Sequence, residues 1–128
     1  MKRMIPFLIF TSILTGCSTK SSGETYRQIS PSDAMAIMEE ESNYIILDVR
    51  TPEEYASGHI PGAINVANEM IRGKEPVELP DKNQLILIYC RSGNRSKQAS
   101  EKLVKMGYTN IVEFGGINQW TGEIVKPE

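Results

Sequence analysis

NQLILIYCRSGNRS (residues 83–96) sets an apolar run directly before a short polar segment with one cysteine, one glycine and two arginines. Residues 83–90 are the most apolar strand candidate of the chain, as expected for a strand covered on both faces of a sheet. Gly93 suits the turn that follows, because glycine adopts positive φ without a steric penalty. An amphipathic helical pattern then starts near Arg95. The segment therefore predicts a strand, a tight loop and a helix, with Cys90 where the strand ends.

Strand and helix candidates alternate along the rest of the domain. Two helices are predicted by the same start pattern, in which Ser30 or Thr51 is the N-cap and Pro31 or Pro52 follows at the first helical position. Such alternation predicts an open parallel α/β sheet with helices on both faces. Ligands of these sheets bind beyond the carboxyl ends of the strands, where Cys90 lies. The strand candidates are residues 26–30, 43–49, 63–67, 83–90 and 110–114, and the third helix is expected over residues 95–106.

The N-terminal residues form a different kind of sequence. Lys2 and Arg3 precede an apolar stretch over residues 4–14, which is too short to span a bilayer and is typical of a secretory signal. LTGC (residues 14–17) follows and resembles the lipobox of bacterial lipoproteins. The alternative is a plain signal peptide with an incidental cysteine.

The lipobox resemblance implies that Cys17 is lipidated and becomes the N-terminus after cleavage. It divides the chain into a signal peptide (residues 1–16), the lipidated cysteine with a flexible polar tether (17–24) and a folded domain (25–128). Acyl chains on Cys17 would anchor an exported protein to a membrane, facing the periplasm or the cell exterior.

Composition excludes several classes of partner. The formal charge of −2, without a basic stripe, argues against nucleic acid. One histidine and two cysteines cannot build a structural zinc site within one chain, and we expect no metal and no cofactor. The chain has room for one domain, and a monomer is the default expectation.

Cys90 would be the only thiol of the folded domain if Cys17 is lipidated. One interpretation is a small hydrophobe that ends a buried strand. The other is a reactive thiolate, because the backbone N–H groups of a loop and the start of a helix together favour a bound anion. Arg91 and Arg95 add positive charge beside the sulfur. These features favour a sulfur nucleophile.

Three motifs in order resemble the single-domain rhodaneses, a family of sulfurtransferases: ILDVRTPEEYASGHIPGAINV (residues 46–66), CRSGNR (90–95) and GGINQW (115–120). The resemblance implies the rhodanese-like fold, an open parallel sheet of five strands. It also implies a mechanism: the Cys90 thiolate attacks the outer sulfur of a donor such as thiosulfate, releases sulfite and becomes a persulfide. A thiol or cyanide then accepts the sulfur.

The same resemblance implies roles for the loop residues. Arg91 and Arg95 would bind the anionic donor, and backbone groups of Ser92, Gly93 and Asn94 would complete the anion cradle.

Other polar residues have two interpretations each. Asp48 and Arg50 either orient the loop by ion pairing or form a helix cap and a surface charge pair. His59 is expected to make a structural hydrogen bond rather than to act as a base. Trp120 is expected to be part of the core or of a pocket wall.

Alternatives to sulfur transfer remain at this point. A phosphatase or arsenate reductase of the same fold resembles this chain but has five residues between cysteine and arginine, whereas four separate Cys90 from Arg95. A second alternative is a non-catalytic rhodanese-like module that binds a partner or senses sulfur. A third is a thiol-redox protein, which would lack a resolving cysteine in its domain.

Overall fold

The structure is a computed structural model and describes residues 25–127. The predicted signal peptide, Cys17 and the tether lie outside the described residues, as does Glu128. Among the helices of the described part, none is long and apolar enough to cross a membrane.

Residues 25–127 fold into one five-stranded sheet with helices between the strands. All neighbouring strands are parallel, and their order across the sheet is β1-β5-β4-β2-β3. This confirms the predicted open parallel α/β sheet. The strands are β1 (Arg27–Gln28), β2 (Tyr44–Asp48), β3 (Ile64–Asn65), β4 (Leu85–Cys90) and β5 (Ile111–Gly116); the α-helices are α1 (Pro31–Glu40), α2 (Pro52–Ala56) and α3 (Asn94–Lys105); single 3₁₀ turns cover Asn68–Met70 and Ile117–Gln119.

The first two helices begin where the sequence predicts. The Ser30 hydroxyl accepts a hydrogen bond from the Asp33 backbone N–H at 3.0 Å at the start of α1. Thr51 and Glu54 form a complete capping box at the start of α2. Each cap satisfies backbone donors that the first helical turn leaves free, and each fixes the point at which the chain leaves a strand and enters a helix.

β4 is the central strand, and alternate side chains of this strand enter two separate apolar clusters. Ile86, Ile88 and Cys90 pack in a cluster with Ala99 and Leu103 of α3. Leu87 and Tyr89 pack on the opposite face in a cluster that includes Ala34 of α1. Helices therefore cover both faces of the sheet, as predicted, and the thiol of Cys90 belongs to the α3 face.

Candidate active site

The loop after β4 wraps around the sulfur of Cys90. Gly93 has φ +112° and occupies the N-cap position of α3, so the predicted positive φ is confirmed. Its backbone N–H donates a hydrogen bond to Cys90 Sγ at 3.0 Å. Cys90 itself is only 1% exposed. The sulfur thus lies at the base of the loop, beside the N-terminal end of a 12-residue helix whose dipole favours negative charge there.

The outer side of the loop is exposed and polar. Arg91, Ser92 and Asn94 are all exposed. Of the three residues expected to supply backbone groups to the cradle, Gly93 is the one whose N–H donates to the sulfur, and the roles expected of Arg91, Ser92 and Asn94 stay predictions.

Arg95 is already bound within the protein by Glu54 of α2. Its two terminal nitrogens donate to the two carboxylate oxygens of Glu54 at 2.7 and 3.0 Å. Hydrogen bonds from Arg95 lower the pKa of Glu54 to about 2, and burial opposes this shift only in part. Hydrogen bonding to Glu54 in turn raises the pKa of Arg95. Arg95 was expected to bind the donor, but both of its terminal nitrogens already bind Glu54. This ion pair fastens the start of α3 to α2.

Glu54 stands three residues after Thr51, and from the sequence alone this position indicates only a capping role. Its contact with Arg95 was missed, because the two residues are 41 positions apart and local sequence patterns do not predict contacts at such a separation.

Asp48 and Arg50 form a buried ion pair, so the interpretation as a surface charge pair is wrong. Asp48 is 0% exposed, and its carboxylate accepts a 2.6 Å hydrogen bond from an Arg50 terminal nitrogen. The Tyr89 hydroxyl donates to the same carboxylate at 2.6 Å. The Arg50 nitrogen also donates to the Gly58 carbonyl at 2.7 Å. This network fastens the residue next to Cys90 to the end of β2 and to the turn after α2.

Burial and the Asp48 network shift the pKa values of the groups around this carboxylate. Burial is the largest cause of the raised pKa of Tyr89, and the hydrogen bond to Asp48 adds to it. Burial lowers the pKa of Arg50, but the hydrogen bond and charge of Asp48 more than offset it, and the net shift is upward. Tyr89 therefore stays protonated and serves as a donor, and Arg50 stays charged.

His59 and Trp120 have structural roles, as expected. A ring nitrogen of His59 lies 2.9 Å from the Tyr55 carbonyl, and the two rings stack with centroids 3.7 Å apart. Trp120 packs against Phe114 and lines a groove on that face of the sheet.

Two buried polar residues near the sulfur were not predicted. The Cys90 thiol lies 3.4 Å from the Ser96 hydroxyl, and that hydroxyl donates to a Glu113 carboxylate oxygen at 2.5 Å. Ser96 is 0% and Glu113 is 2% exposed. Ser96 follows the motif that ends at Arg95, and a lone glutamate within a strand sequence usually faces solvent. The one available signal was the position of Glu113 on the strand that pairs with β4.

The beginning of the loop is packed directly against the end of β5. The register of the β4–β5 ladder shifts between Ile88 and Cys90, so that Cys90 pairs with Gly116. A Cβ on Gly116 would overlap the carbonyl oxygen of Arg91 and lie 2.6 Å from the Ser92 Cα. Only glycine allows this approach of two backbones.

The fold and the site define an open parallel α/β domain with a buried cysteine at the carboxyl end of its central strand, and comparison with known proteins identifies the family. The family model described as Rhodanese-like domain matches residues 30–123. The chain belongs to the rhodanese-like domain family.

Two curated relatives are small proteins. Thiosulfate sulfurtransferase PspE of Escherichia coli (strain K12) is 41% identical over 71 residues, which cover 56% of this chain and 68% of that protein. Thiosulfate sulfurtransferase GlpE of Pseudomonas entomophila (strain L48) is 32% identical over 96 residues, which cover 74% and 84%. In three other relatives the match spans only 20–24% of their length.

A solved structure described as rhodanese with anions from E. coli has a TM-score of 0.60 and 37% identity to this chain. The likeness covers 66% of this chain and 99% of that one. It confirms the rhodanese fold.

Replacement of Gly116 by alanine tests the close backbone approach. We expect Gly116→Ala to lower the free energy of unfolding by about 1–3 kcal/mol, because the added methyl group is forced into a closed space. It should also speed the reaction of Cys90 with a bulky thiol reagent, because the loop must move off β5. Urea unfolding and labelling of the tryptic peptide that contains Cys90 measure the two effects.

Gly73→Ala is the matched control. Gly73 has φ +79°, but a Cβ there meets nothing within 4 Å, so alanine strains the backbone without touching the loop. Equal labelling rates in Gly116→Ala, Gly73→Ala and the unchanged protein would contradict the role assigned to Gly116.

Replacement of Glu54 by glutamine tests the ion pair with Arg95. Because the pKa of Glu54 falls from 4.5 to about 2 on folding, its charge stabilises the fold above about pH 4.5, and this contribution is lost as the pH falls toward 2. Glutamine retains the capping box. We therefore expect Glu54→Gln to lower the melting temperature at neutral pH, with a difference that shrinks between pH 4.5 and 2.

Glu53→Gln is the control, because Glu53 is the exposed neighbour on the same helix. Thermal melts of the three proteins across this pH range measure the difference in melting temperature. A loss in Glu54→Gln that is independent of pH would show that the ion pair contributes nothing.

Proposed function

We propose that this domain is a sulfurtransferase that carries a sulfane sulfur as a persulfide on Cys90. One observation carries the proposal: the Gly93 N–H donates to a buried sulfur at the start of α3. Hydrogen bonding to the sulfur and a helix N-terminus both favour its anionic form. Sulfurtransferase names among the relatives support the same activity.

In the first half-reaction the Cys90 thiolate attacks the outer sulfur of a donor such as thiosulfate. A new S–S bond forms to Sγ, and the old S–S bond breaks with its electron pair leaving on sulfite. Arg91, at the exposed side of the loop, provides positive charge for the anionic donor and for the departing sulfite. Arg95 fixes the loop through Glu54 while its charge still acts on the site.

In the second half-reaction a thiol or cyanide attacks the outer sulfur of the persulfide. Sγ then leaves as a thiolate, and the hydrogen bond from Gly93 stabilises the returning charge. With Cys90 only 1% exposed, the loop admits small donors and slender nucleophiles and excludes bulky ones.

Peptide mass spectrometry tests the proposal. After treatment of the protein with thiosulfate, we expect the tryptic peptide that contains Cys90 to gain one sulfur, and cyanide to remove it. Cys90→Ser should gain none. Cys17 falls in a different tryptic peptide, so the two cysteines are read separately.

Mass spectrometry together with a phosphatase assay separates the alternatives. An intact Cys90 thiol that gains no sulfur would reject sulfur transfer from thiosulfate and favour a binding module. Turnover of an aryl phosphate that disappears in Cys90→Ala would favour a phosphatase.

We also propose that the protein is exported and anchored through lipid on Cys17. The positive start, the apolar stretch over residues 4–14 and the LTGC sequence support this. The tether over residues 18–24 would hold the domain close to the membrane surface.

Radiolabelled palmitate tests the anchor in a bacterial host that expresses the full chain. We expect the label on the protein, and recovery of the protein in the detergent phase after phase separation. Cys17→Ser should remain unlabelled, whereas Cys90→Ser should be labelled like the unchanged protein. Label on Cys17→Ser, or none on either protein, would reject the anchor.

A further inference from the structure

Glu113 is a buried carboxylate that the sulfur-transfer steps leave without a role. It lies on β5 with 2% exposure. One of its oxygens accepts a hydrogen bond from the Ser96 hydroxyl at 2.5 Å and another from the Gly115 N–H at 2.9 Å. A carboxylate beneath a reactive sulfur opposes the negative charge that the sulfur must carry. The burial of Glu113 so close to the sulfur therefore indicates a chemical role.

The hydroxyl of Ser96 is the link between this carboxylate and Cys90. Its oxygen lies 2.5 Å from Glu113 Oε2, 2.9 Å from the Gly93 carbonyl and 3.4 Å from Cys90 Sγ. A hydroxyl has one hydrogen to donate and two lone pairs with which to accept. The charged acceptor at the shortest distance takes the hydrogen. The Ser96 oxygen is then left to accept the thiol hydrogen of Cys90.

We propose that Glu113, acting through Ser96, takes up the thiol proton of Cys90 and returns it. The S–H bond breaks and its proton passes to the Ser96 oxygen, while the original Ser96 proton passes to Glu113 Oε2. The product is a Cys90 thiolate that accepts a hydrogen bond from Ser96, beside a neutral Glu113. The charge of the group stays at −1 throughout, so no ion has to enter the buried site.

The role of this relay in turnover rests on the proposed sulfur transfer. Thiolate formation precedes attack on the donor, and the same Ser96 hydroxyl can donate to Sγ when it leaves the persulfide. Ser96 contacts the reacting sulfur, whereas Glu113 is a positioning residue that acts through Ser96.

The other charged groups around the site do not join this hydrogen-bond path. Lys97 shares a cleft of about 630 Å³ with Glu113, and the remaining side chains that α1, β1 and the last 3₁₀ turn contribute there are uncharged. Arg95 is bound by Glu54, and Asp48 by Arg50 and Tyr89. Arg91 is exposed at the loop. Within the described residues, the path from Cys90 through Ser96 ends at Glu113.

Alkylation of Cys90 by iodoacetamide tests the relay, read on its tryptic peptide in the full-length protein from about pH 4 to about pH 10. Two groups that share a proton titrate as a pair, so the rate should rise in two steps separated by about one pH unit or more. In Glu113→Gln we expect one step. At a pH between the two steps of the unchanged protein, the alkylation rates of the two proteins should differ about tenfold. Profiles of Glu113→Gln and the unchanged protein that superimpose would overturn the proposal.

Two substitutions of Ser96 provide the matched comparison. Ser96→Ala removes the hydrogen bonds that couple Cys90 to Glu113 and should give a single step, whereas Ser96→Thr keeps a hydroxyl and should retain both steps. Two steps in Ser96→Ala would mean that the charge of Glu113 acts through space, and the relay would be rejected. This pair also decides the question if Glu113→Gln does not fold.

Alkylation needs no sulfur donor, so it separates the two proposals. Two steps without persulfide formation would reject sulfur transfer from thiosulfate and retain the relay. Persulfide formation with a single alkylation step would retain sulfur transfer and reject the relay.

Discussion

The buried carboxylate of Asp48 is the interaction on which the site depends. It receives hydrogen bonds from Arg50 on its own segment and from Tyr89 on the neighbouring strand. Tyr89 in turn accepts the backbone N–H of Ile60 at 3.1 Å. Since Tyr89 directly precedes Cys90, a single carboxylate fixes the end of β4, the end of β2 and the turn beyond α2. Loss of Arg50 would leave the buried charge of Asp48 uncompensated, which costs about 3–5 kcal/mol.

A second set of contacts then fixes the loop relative to this framework. Arg95 fastens the start of α3 to Glu54, and Gly116 lets β5 come against the first loop residues. The loop is therefore held at both ends, and the N–H of Gly93 points at the sulfur without further ordering. Donors that are positioned before the reaction stabilise developing charge most effectively. The contacts that hold the loop would therefore serve the proposed chemistry as well as the fold.

Local sequence patterns predicted the architecture well, because its determinants are local. Ser30 and Thr51 each precede a proline at a helix start, and the apolar run before Cys90 is long enough to identify a buried central strand. The position of the sulfur at the carboxyl edge of the sheet followed from these elements. The resemblance to rhodaneses, now confirmed at the level of the family, rested on motifs at the same places.

The side-chain partners could not be predicted in the same way. Glu54 and Arg95 are far apart in sequence. Strand alternation places Glu113 on the face opposite Val112 and Phe114 without showing that Ser96 of α3 lies against it. Asp48 and Arg50 were open to a surface interpretation because charged residues are rarely buried. The loop itself was predictable from composition, whereas the network beneath it required three dimensions.

The burial of Cys90 bears on which sulfur compounds can react with its thiol. Exchange between a thiolate and a disulfide requires the attacking sulfur to reach a sulfur of the disulfide directly. At 1% exposure, the thiol cannot meet a folded protein unless the loop moves. Under the proposed sulfur transfer, this burial would separate small sulfur donors from protein disulfides by size, which would let a single cysteine keep functioning where oxidised thiols are common.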